Sequence, residues 1–155
     1  MSEIKLNQLF PDDISQIDVS YFTGMSRITD YFDIMVVKYT GKYGIGSAGN
    51  GDAHYMYGRG EYGLSVYDPM GVILDFTDLD YQWGDKMDMV FDVGTRQFNK
   101  EFPRALVVGD ACKEAIGTLI LGTSDLPASS EEWIFESLEE AWTYVETKIE
   151  KQMRS

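Results

Sequence analysis

The stretch VILDFTDLDYQWGDKM, residues 72–87, decides how the chain is expected to fold. Its first part is a continuous apolar run, which is typical of a strand covered on both faces of a sheet. An acidic loop follows, and apolar residues then return at helical spacing, which predicts a helix over residues 85–96 with one buried side: Met87, Met89, Val90 and Phe91. A buried strand that passes through an acidic corner into a helix is therefore the starting point for both fold and function.

The rest of the C-terminal half repeats this order of strand and helix. RALVVGD, residues 104–110, predicts a second buried strand, and Asp110 is in position to cap the helix ACKEAIGTLIL that follows. EWIFES, residues 132–137, predicts a short strand, and Ser137 with Glu140 forms a capping box at the start of the last helix. This alternation predicts right-handed crossovers and a mainly parallel sheet.

The first half of the chain gives less regular signals. Residues 34–39 are rich in β-branched and aromatic side chains and predict a strand. Residues 41–63 mix glycine and tyrosine without a helical period, so we expect a loop or hairpin-like connection there, and a short strand in the GLSVYD segment that follows. The fold class expected is α/β with a mixed, mainly parallel sheet: a single domain over residues 1–155, with antiparallel or hairpin strands in residues 1–70 and a βαβαβα half in residues 71–155.

Three stretches carry a resemblance to a known family: GVILDFTDLDY, PRALVVGDACKEAIGTLIL and EWIFESLEEAWTYV. They resemble the STAS domains, the family of sulfate-transporter tails and anti-sigma-factor antagonists, and the resemblance lies in the C-terminal half only. It implies a buried strand that ends in Asp, a short acidic loop, a helix, a strand with a glycine at its end, a second helix and a short strand. For members that act as phosphorylation switches, it also implies a serine at the strand-to-helix junction.

The sequence departs from that family at the junction itself. Residues 80–85 read Asp-Tyr-Gln-Trp-Gly-Asp and contain neither serine nor threonine. A phosphate at a helix N-terminus adds nearly two negative charges, and Asp85 would supply a permanent charge there. The interpretation we prefer is that Asp85 caps the helix. The glycine- and tyrosine-rich residues 41–63 have no counterpart in the family.

Composition excludes several classes of partner. There are 26 acidic and 13 basic residues, a net charge of −13, and such a surface repels nucleic-acid phosphates and anionic membranes. The single histidine, His54, and the single cysteine, Cys112, leave neither a histidine-rich metal cage nor an intrachain disulfide. The first residues do not form a secretory signal, so we expect a cytoplasmic setting.

Two other patterns suggest ligand sites. Residues 44–49 spell G-x-G-x-x-G after a predicted strand, but a dinucleotide site also needs a helix there, and the following residues are not expected to form one. Asp75, Asp78 and Asp80 lie near the carboxyl end of a predicted parallel strand, where carboxylates can bind Mg²⁺. The second pattern leaves open a metal- or small-ligand-binding enzyme, although polar residues are ordinary at strand ends. The function we favour needs no metal or cofactor.

The sequence favours a non-catalytic acidic module that binds a protein partner and regulates or neutralises it. Because opposite charges steer encounter, the partner is expected to be basic. The predicted contact surface combines carboxylates with aromatic side chains: Asp78, Asp80, Trp83, Asp85, Asp88, Tyr55 and Tyr57. One narrower alternative is an immunity protein that inhibits a basic bacterial toxin of the nuclease type. Another is a homodimer formed through an edge strand.

Overall fold

The computed structural model describes residues 3–28, 31–95 and 101–154. Six strands form the sheet: β1 (Asp18–Met25), β2 (Asp33–Lys42), β3 (Gly71–Phe76), β4 (Leu79–Asp80), β5 (Arg104–Val108) and β6 (Ile134–Phe135). Their order is β1-β2-β3-β5-β6, with β4 paired to the end of β2. Only the β1–β2 pair is antiparallel among these described strands. The mixed, mainly parallel α/β sheet predicted from the sequence is thereby confirmed.

Helices cover both faces of the sheet. The α-helices are α1 (Asn50–Tyr67), α2 (Lys113–Leu121) and α3 (Leu138–Arg154), and 3₁₀ helices span Pro11–Asp13, Gly46–Gly49, Asp85–Asp92 and Ala128–Ser130. One buried cluster joins the sheet to α1, α2 and the 3₁₀ helix Asp85–Asp92. A second, smaller cluster joins the opposite face to α3. β3 lies between the two layers and is buried at all of its residues, as its apolar run predicts.

The predicted loop over residues 41–63 and the predicted GLSVYD strand are both wrong, because α1 occupies most of this region. The helix packs closely on the sheet through its glycines. A Cβ atom at Gly60 would lie 2.7 Å from the hydroxyl of Tyr39, and one at Gly63 would lie 2.4 Å from the Tyr21 ring. Tertiary contact therefore overrides the poor helix propensity of glycine. Every described helix is too short or too polar to cross a lipid bilayer.

Two predicted helix starts also need correction. The helix predicted over residues 85–96 is a 3₁₀ helix that ends at Asp92, and residues 96–100 lie outside the described part of the chain. Its N-cap is Gly84 and no side chain caps it, so Asp85 is not a cap. Asp110 does not cap α2 either, since the N-cap residue is Cys112. The Ser137–Glu140 capping interaction is confirmed: the Ser137 hydroxyl accepts a hydrogen bond of 3.2 Å from the Glu140 amide.

Candidate functional site

The acidic corner between β3 and the 3₁₀ helix Asp85–Asp92 is held in place by its backbone. Leu79 and Asp80 form β4, which pairs in parallel with Gly41 and Lys42 at the end of β2. Before it, one carboxylate oxygen of Asp75 accepts hydrogen bonds from the amide (2.9 Å) and hydroxyl (2.5 Å) of Thr77. The corner is therefore a defined turn at the carboxyl ends of the parallel strands, where α/β proteins usually bind their ligands.

Four residues form what we call the inner layer of the corner: Tyr43, Gly49, Tyr81 and Gly84. The two tyrosine rings are buried and meet edge to face, with 5.1 Å between their centroids. The Tyr81 hydroxyl donates a 2.9 Å hydrogen bond to the carbonyl of Gly84, which has a φ of 147°. Burial, followed by the nearby carboxylates of Asp85 and Asp88, raises the pKa of Tyr81 to about 12. The buried contacts of the inner layer thus fix the shape of the corner on its core side.

Trp83 links this layer to the surface. Its indole covers Gly46, where a Cβ atom would lie 2.6 Å from the ring, and its carbonyl accepts a 3.1 Å hydrogen bond from the Gly46 amide. Even so, 60% of the residue is exposed. A tryptophan at this corner can pack over the end of the sheet or belong to a contact surface, the role predicted for Trp83 from the sequence. In the structure one side of the ring packs against Gly46, and much of the residue remains available for contact.

A cleft of about 630 Å³ opens beside Trp83, between the corner and α2. Its carboxylates come from both sides: Asp85 from the corner, and Asp110 from the turn before α2 with Glu114 from the first turn of that helix. Ala115 and Leu119 add an apolar lining. We call Trp83, Asp85, Asp110 and Glu114 the outer layer of the corner. One cation lies close to this layer: Lys113 is 3.3 Å from both Asp110 and Glu136. These ion pairs raise the pKa of Lys113.

A second cleft of about 620 Å³ continues from the first and shares Asp85 and Leu119 with it. Asp88 and Asp92 line its acidic side, and Lys86 of the same 3₁₀ helix also lines the cleft. Its apolar side is formed by Met89, Leu119, Ile120 and Trp133. The guanidinium of Arg104 lies over the Trp133 ring at 4.7 Å from the centroid and donates a hydrogen bond to the carbonyl of Phe91. The two clefts together present carboxylates beside an apolar floor along the 3₁₀ helix and α2.

The predicted contact residues are only partly brought together. Trp83 and Asp85 line the first cleft, and Asp85 and Asp88 line the second. Asp78 instead forms an ion pair of 2.8 Å with Lys38, and Asp80 accepts a 2.7 Å hydrogen bond from Gln82.

The two predicted tyrosines lie on α1, and neither lines the clefts at the corner. The Tyr55 hydroxyl donates a 2.9 Å hydrogen bond to Asp12. Tyr57 is half-buried and packs against the core. Sequence reasoning missed Asp110 and Glu114 as site residues: Asp110 lies in the turn before α2 and Glu114 in its first turn, and no local pattern links them to Trp83.

The three aspartates considered as metal ligands have separate partners. Asp75 is buried and bonded to Thr77, Asp78 faces Lys38, and Asp80 faces Gln82. Among the described residues, no group of three histidine, cysteine, aspartate or glutamate side chains is arranged to hold a metal ion. Positions of the side chains therefore give no support to the metal-dependent alternative.

The glycines of residues 44–49 do precede a helix, contrary to the sequence prediction, since α1 begins at Asn50. They nevertheless serve internal packing. A Cβ atom at Gly49 would lie 2.1 Å from the Tyr43 ring, and Gly46 lies under Trp83. In a dinucleotide site, the pyrophosphate would lie against the backbone of these glycines. In this protein, the rings of Tyr43 and Trp83 occupy that place.

Cys112 lies at the rim of the first cleft but points inward. It is 1% exposed, and its sulfur is 3.5 Å from the carbonyl of Phe76. Burial raises the pKa of the thiol to about 11, which keeps it protonated at neutral pH. Cys112 is therefore a small core residue rather than a nucleophile.

Comparison with known proteins identifies the fold. A scan against profiles of protein families found no match, and a search of curated proteins found none either. Among solved structures, the chain is similar to the crystal structure of an anti-sigma factor antagonist from Mycobacterium paratuberculosis. The TM-score is 0.54 at 13% sequence identity, and the match covers 84% of this chain and 94% of that one. The STAS-like fold suggested by the C-terminal half is confirmed, and the structural likeness extends well into the N-terminal half.

Proposed function

We propose that this protein is a non-catalytic interaction module that binds a basic protein partner at the corner clefts and regulates it. The observation that carries the proposal is the outer layer: an exposed tryptophan with carboxylates from both sides of the first cleft around it. Tryptophan is enriched at energetically important contact positions, and complementary charge accelerates encounter. The likeness in fold to an anti-sigma factor antagonist supports a role of this kind.

The acidic composition supports the choice of a basic partner. A net charge of −13 repels other acidic proteins, whereas a partner with lysine or arginine beside apolar side chains would meet both features of the clefts. Within the predicted surface, Trp83, Asp85 and Asp88 are the residues we propose as contacts. Asp78, Asp80, Tyr55 and Tyr57 would contribute only at the periphery.

A narrower version of the proposal is an immunity protein that neutralises a basic bacterial toxin, for example a nuclease. Its support is the charge alone, since a basic nuclease binds an anionic ligand and an acidic inhibitor can compete for that surface. A cytoplasmic setting belongs to the same proposal and is supported by the single, buried cysteine.

The test is a comparison of two matched double variants in binding to proteins encoded next to this gene. W83A with D85N removes one exposed aromatic side chain and one charge at the corner. The control, L126A with D125N, removes an exposed apolar side chain and a charge from the loop after α2. We expect the first to weaken binding by at least about thirtyfold and the control to leave it within about twofold. Equal loss in both variants, or binding unchanged by W83A with D85N, would overturn the corner as the contact site.

A further inference from the structure

Residues 3 to 10 form an exposed apolar arm. They have no secondary structure, and every one of them is exposed. Ile4, Leu6 and Leu9 are 84–88% exposed, and Phe10 is 57% exposed. Single exposed apolar residues are common on proteins, but several in one short segment mark an interaction site.

The outer edge of β1 is the matching feature. Within the described chain β1 pairs with β2 alone, so its other edge is free along Asp18–Met25. Free edges are usually protected by lysine, proline or a bulge. Residues 19–25, VSYFTGM, contain neither proline nor any charged side chain, and the β1–β2 register runs without interruption. An unprotected edge of this kind is a template for an additional strand.

Apolar surface lies beside this edge. Phe22 is 56% exposed and Met25 is 52% exposed. Met25 also lines a cleft of about 370 Å³ with Leu138 and Trp142 of α3, and the ion-paired Arg27 and Glu139 complete its lining. An extended segment places alternate side chains on one side, so Ile4 and Leu6 would face this surface together.

Charge favours contact between these two segments. Two copies of a protein with net charge −13 repel each other over most of their surfaces. The arm carries Glu3 and Lys5, which cancel, and residues 19–25 carry no charge. The arm and the β1 edge are therefore places where two copies can approach without strong repulsion.

The arm does not pair with the β1 edge of its own chain, since residues 3–10 form no strand and β1 pairs with β2 alone among the described strands. The residues that join it to β1 are fixed against α1: Tyr55 donates a hydrogen bond to Asp12, Ser15 donates one of 2.5 Å to Asp52, and Ile17 is 2% exposed. This anchoring fixes the connection between the arm and β1, and the arm itself is exposed to solvent.

We propose that residues 3 to 10 of one copy add as a strand to the β1 edge of a second copy, and that the exchange is reciprocal. A two-fold arrangement of this kind closes as a dimer and leaves neither β1 edge free. The arm and β1 share no residue with the corner clefts, so this inference stands independently of the proposed function.

The first experiment is cross-linking in trans. L6C and F22C are made in separate full-length chains, mixed, and treated with a flexible bis-maleimide. Cys112 is buried and serves as an internal negative control in the wild type. We expect a cross-linked dimer in the mixture well above the level in either variant alone. A double variant, L6C with F22C in one chain, that cross-links only within single chains would show that the arm folds on its own edge, and would overturn the proposal.

Sedimentation equilibrium supplies the second readout. We expect the wild type to approach twice the monomer mass as concentration rises, and I4D with L6D to dimerise at least tenfold more weakly. Both substituted residues are exposed, so the fold should be unaffected, which circular dichroism checks. L126D, at an exposed apolar residue elsewhere, should dimerise like the wild type. A monomer at all concentrations, or a dimer indifferent to I4D with L6D, would contradict arm exchange.

Discussion

The inner and outer layers of the corner meet within residues 81–85 and differ in burial. Tyr43 and Tyr81 are buried and in edge-to-face contact, and Gly49 leaves room for a ring. Trp83 and Asp85 are exposed. The inner layer should therefore determine stability and the outer layer should determine binding. Residues of one short turn can be assigned to these two roles because Tyr81 and Gly84 are buried while Trp83 and Asp85 are exposed.

The largest effect on stability is expected from G49A. The added Cβ would lie 2.1 Å from the Tyr43 ring and 2.4 Å from the Gly44 carbonyl, so the ring and the turn must move. Overpacking of this severity lowers the free energy of unfolding by about 3 kcal/mol. Urea unfolding measures the change. G58A is the matched control, because no atom lies within 4 Å of its Cβ and it should stabilise α1 by up to about 1 kcal/mol. Equal effects of the two substitutions would mean that the inner layer is not tightly packed.

The second largest effect on stability is expected from alkaline pH, which ionises Tyr81 of the inner layer. The pKa of Tyr81 is raised to about 12 in the folded state, above the ordinary value of 10.0. The unfolded chain therefore loses this proton first as pH rises. The stabilisation is complete below pH 10 and is lost on passing through pH 12, with a magnitude on the order of 2 kcal/mol.

The control for this pH dependence is Y81F. At neutral pH we expect it to be about 1 kcal/mol less stable than wild type, because the Gly84 carbonyl loses its hydrogen bond. Between pH 10 and 12 its stability should fall less steeply than that of wild type. The free energy of unfolding of both proteins is measured by fluorescence in urea. If it fell equally steeply with pH in Y81F and in the wild type, Tyr81 would not be the source of the pH dependence.

A smaller stability loss is expected from W83A. The indole is largely exposed, and its main internal contact is with Gly46, so removal should cost about 1 kcal/mol. Affinity for a partner should fall by at least about 2 kcal/mol if Trp83 anchors the contact. Thermal unfolding and binding titration together separate the two quantities. A loss of stability comparable to that of G49A would place Trp83 with the inner layer instead.

The smallest stability effect is expected from D85N with D88N. Both carboxylates are exposed and outside the described ion pairs, so stability should stay within about 0.5 kcal/mol of wild type. Binding to a basic partner should show a slower association rate and a weaker dependence on salt. Stopped-flow measurements at two ionic strengths provide the check, with D125N as the control for an unrelated exposed carboxylate. An unchanged association rate would remove electrostatic steering from the proposal.

Features that depend on the local sequence were predictable, and features that depend on contacts between distant segments were not. The run GVILDF, apolar apart from Asp75, predicts β3, and all six of its residues are buried in the structure. Such a run can be recognised without knowing which strands lie beside it. The Ser137–Glu140 cap is equally local. By contrast, the buried side of α1 is Ala53, Met56, Gly60, Gly63 and Leu64. Its spacing is helical, but two of the five are glycines, which read as loop residues until Tyr39 and Tyr21 are known to pack against them.

The sequence by itself determined β2, β3, β5, β6, the last helix and the acidic character of the chain, because burial periodicity, helix caps and charge are local properties of the chain. Only the tertiary structure decided that α1 is a helix and that Asp110 and Glu114 share a cleft with Trp83 and Asp85. It also separated Asp78 from that cleft by pairing it with Lys38. The physical reason is that these features depend on contacts between segments distant in sequence, and no local pattern encodes which segments meet.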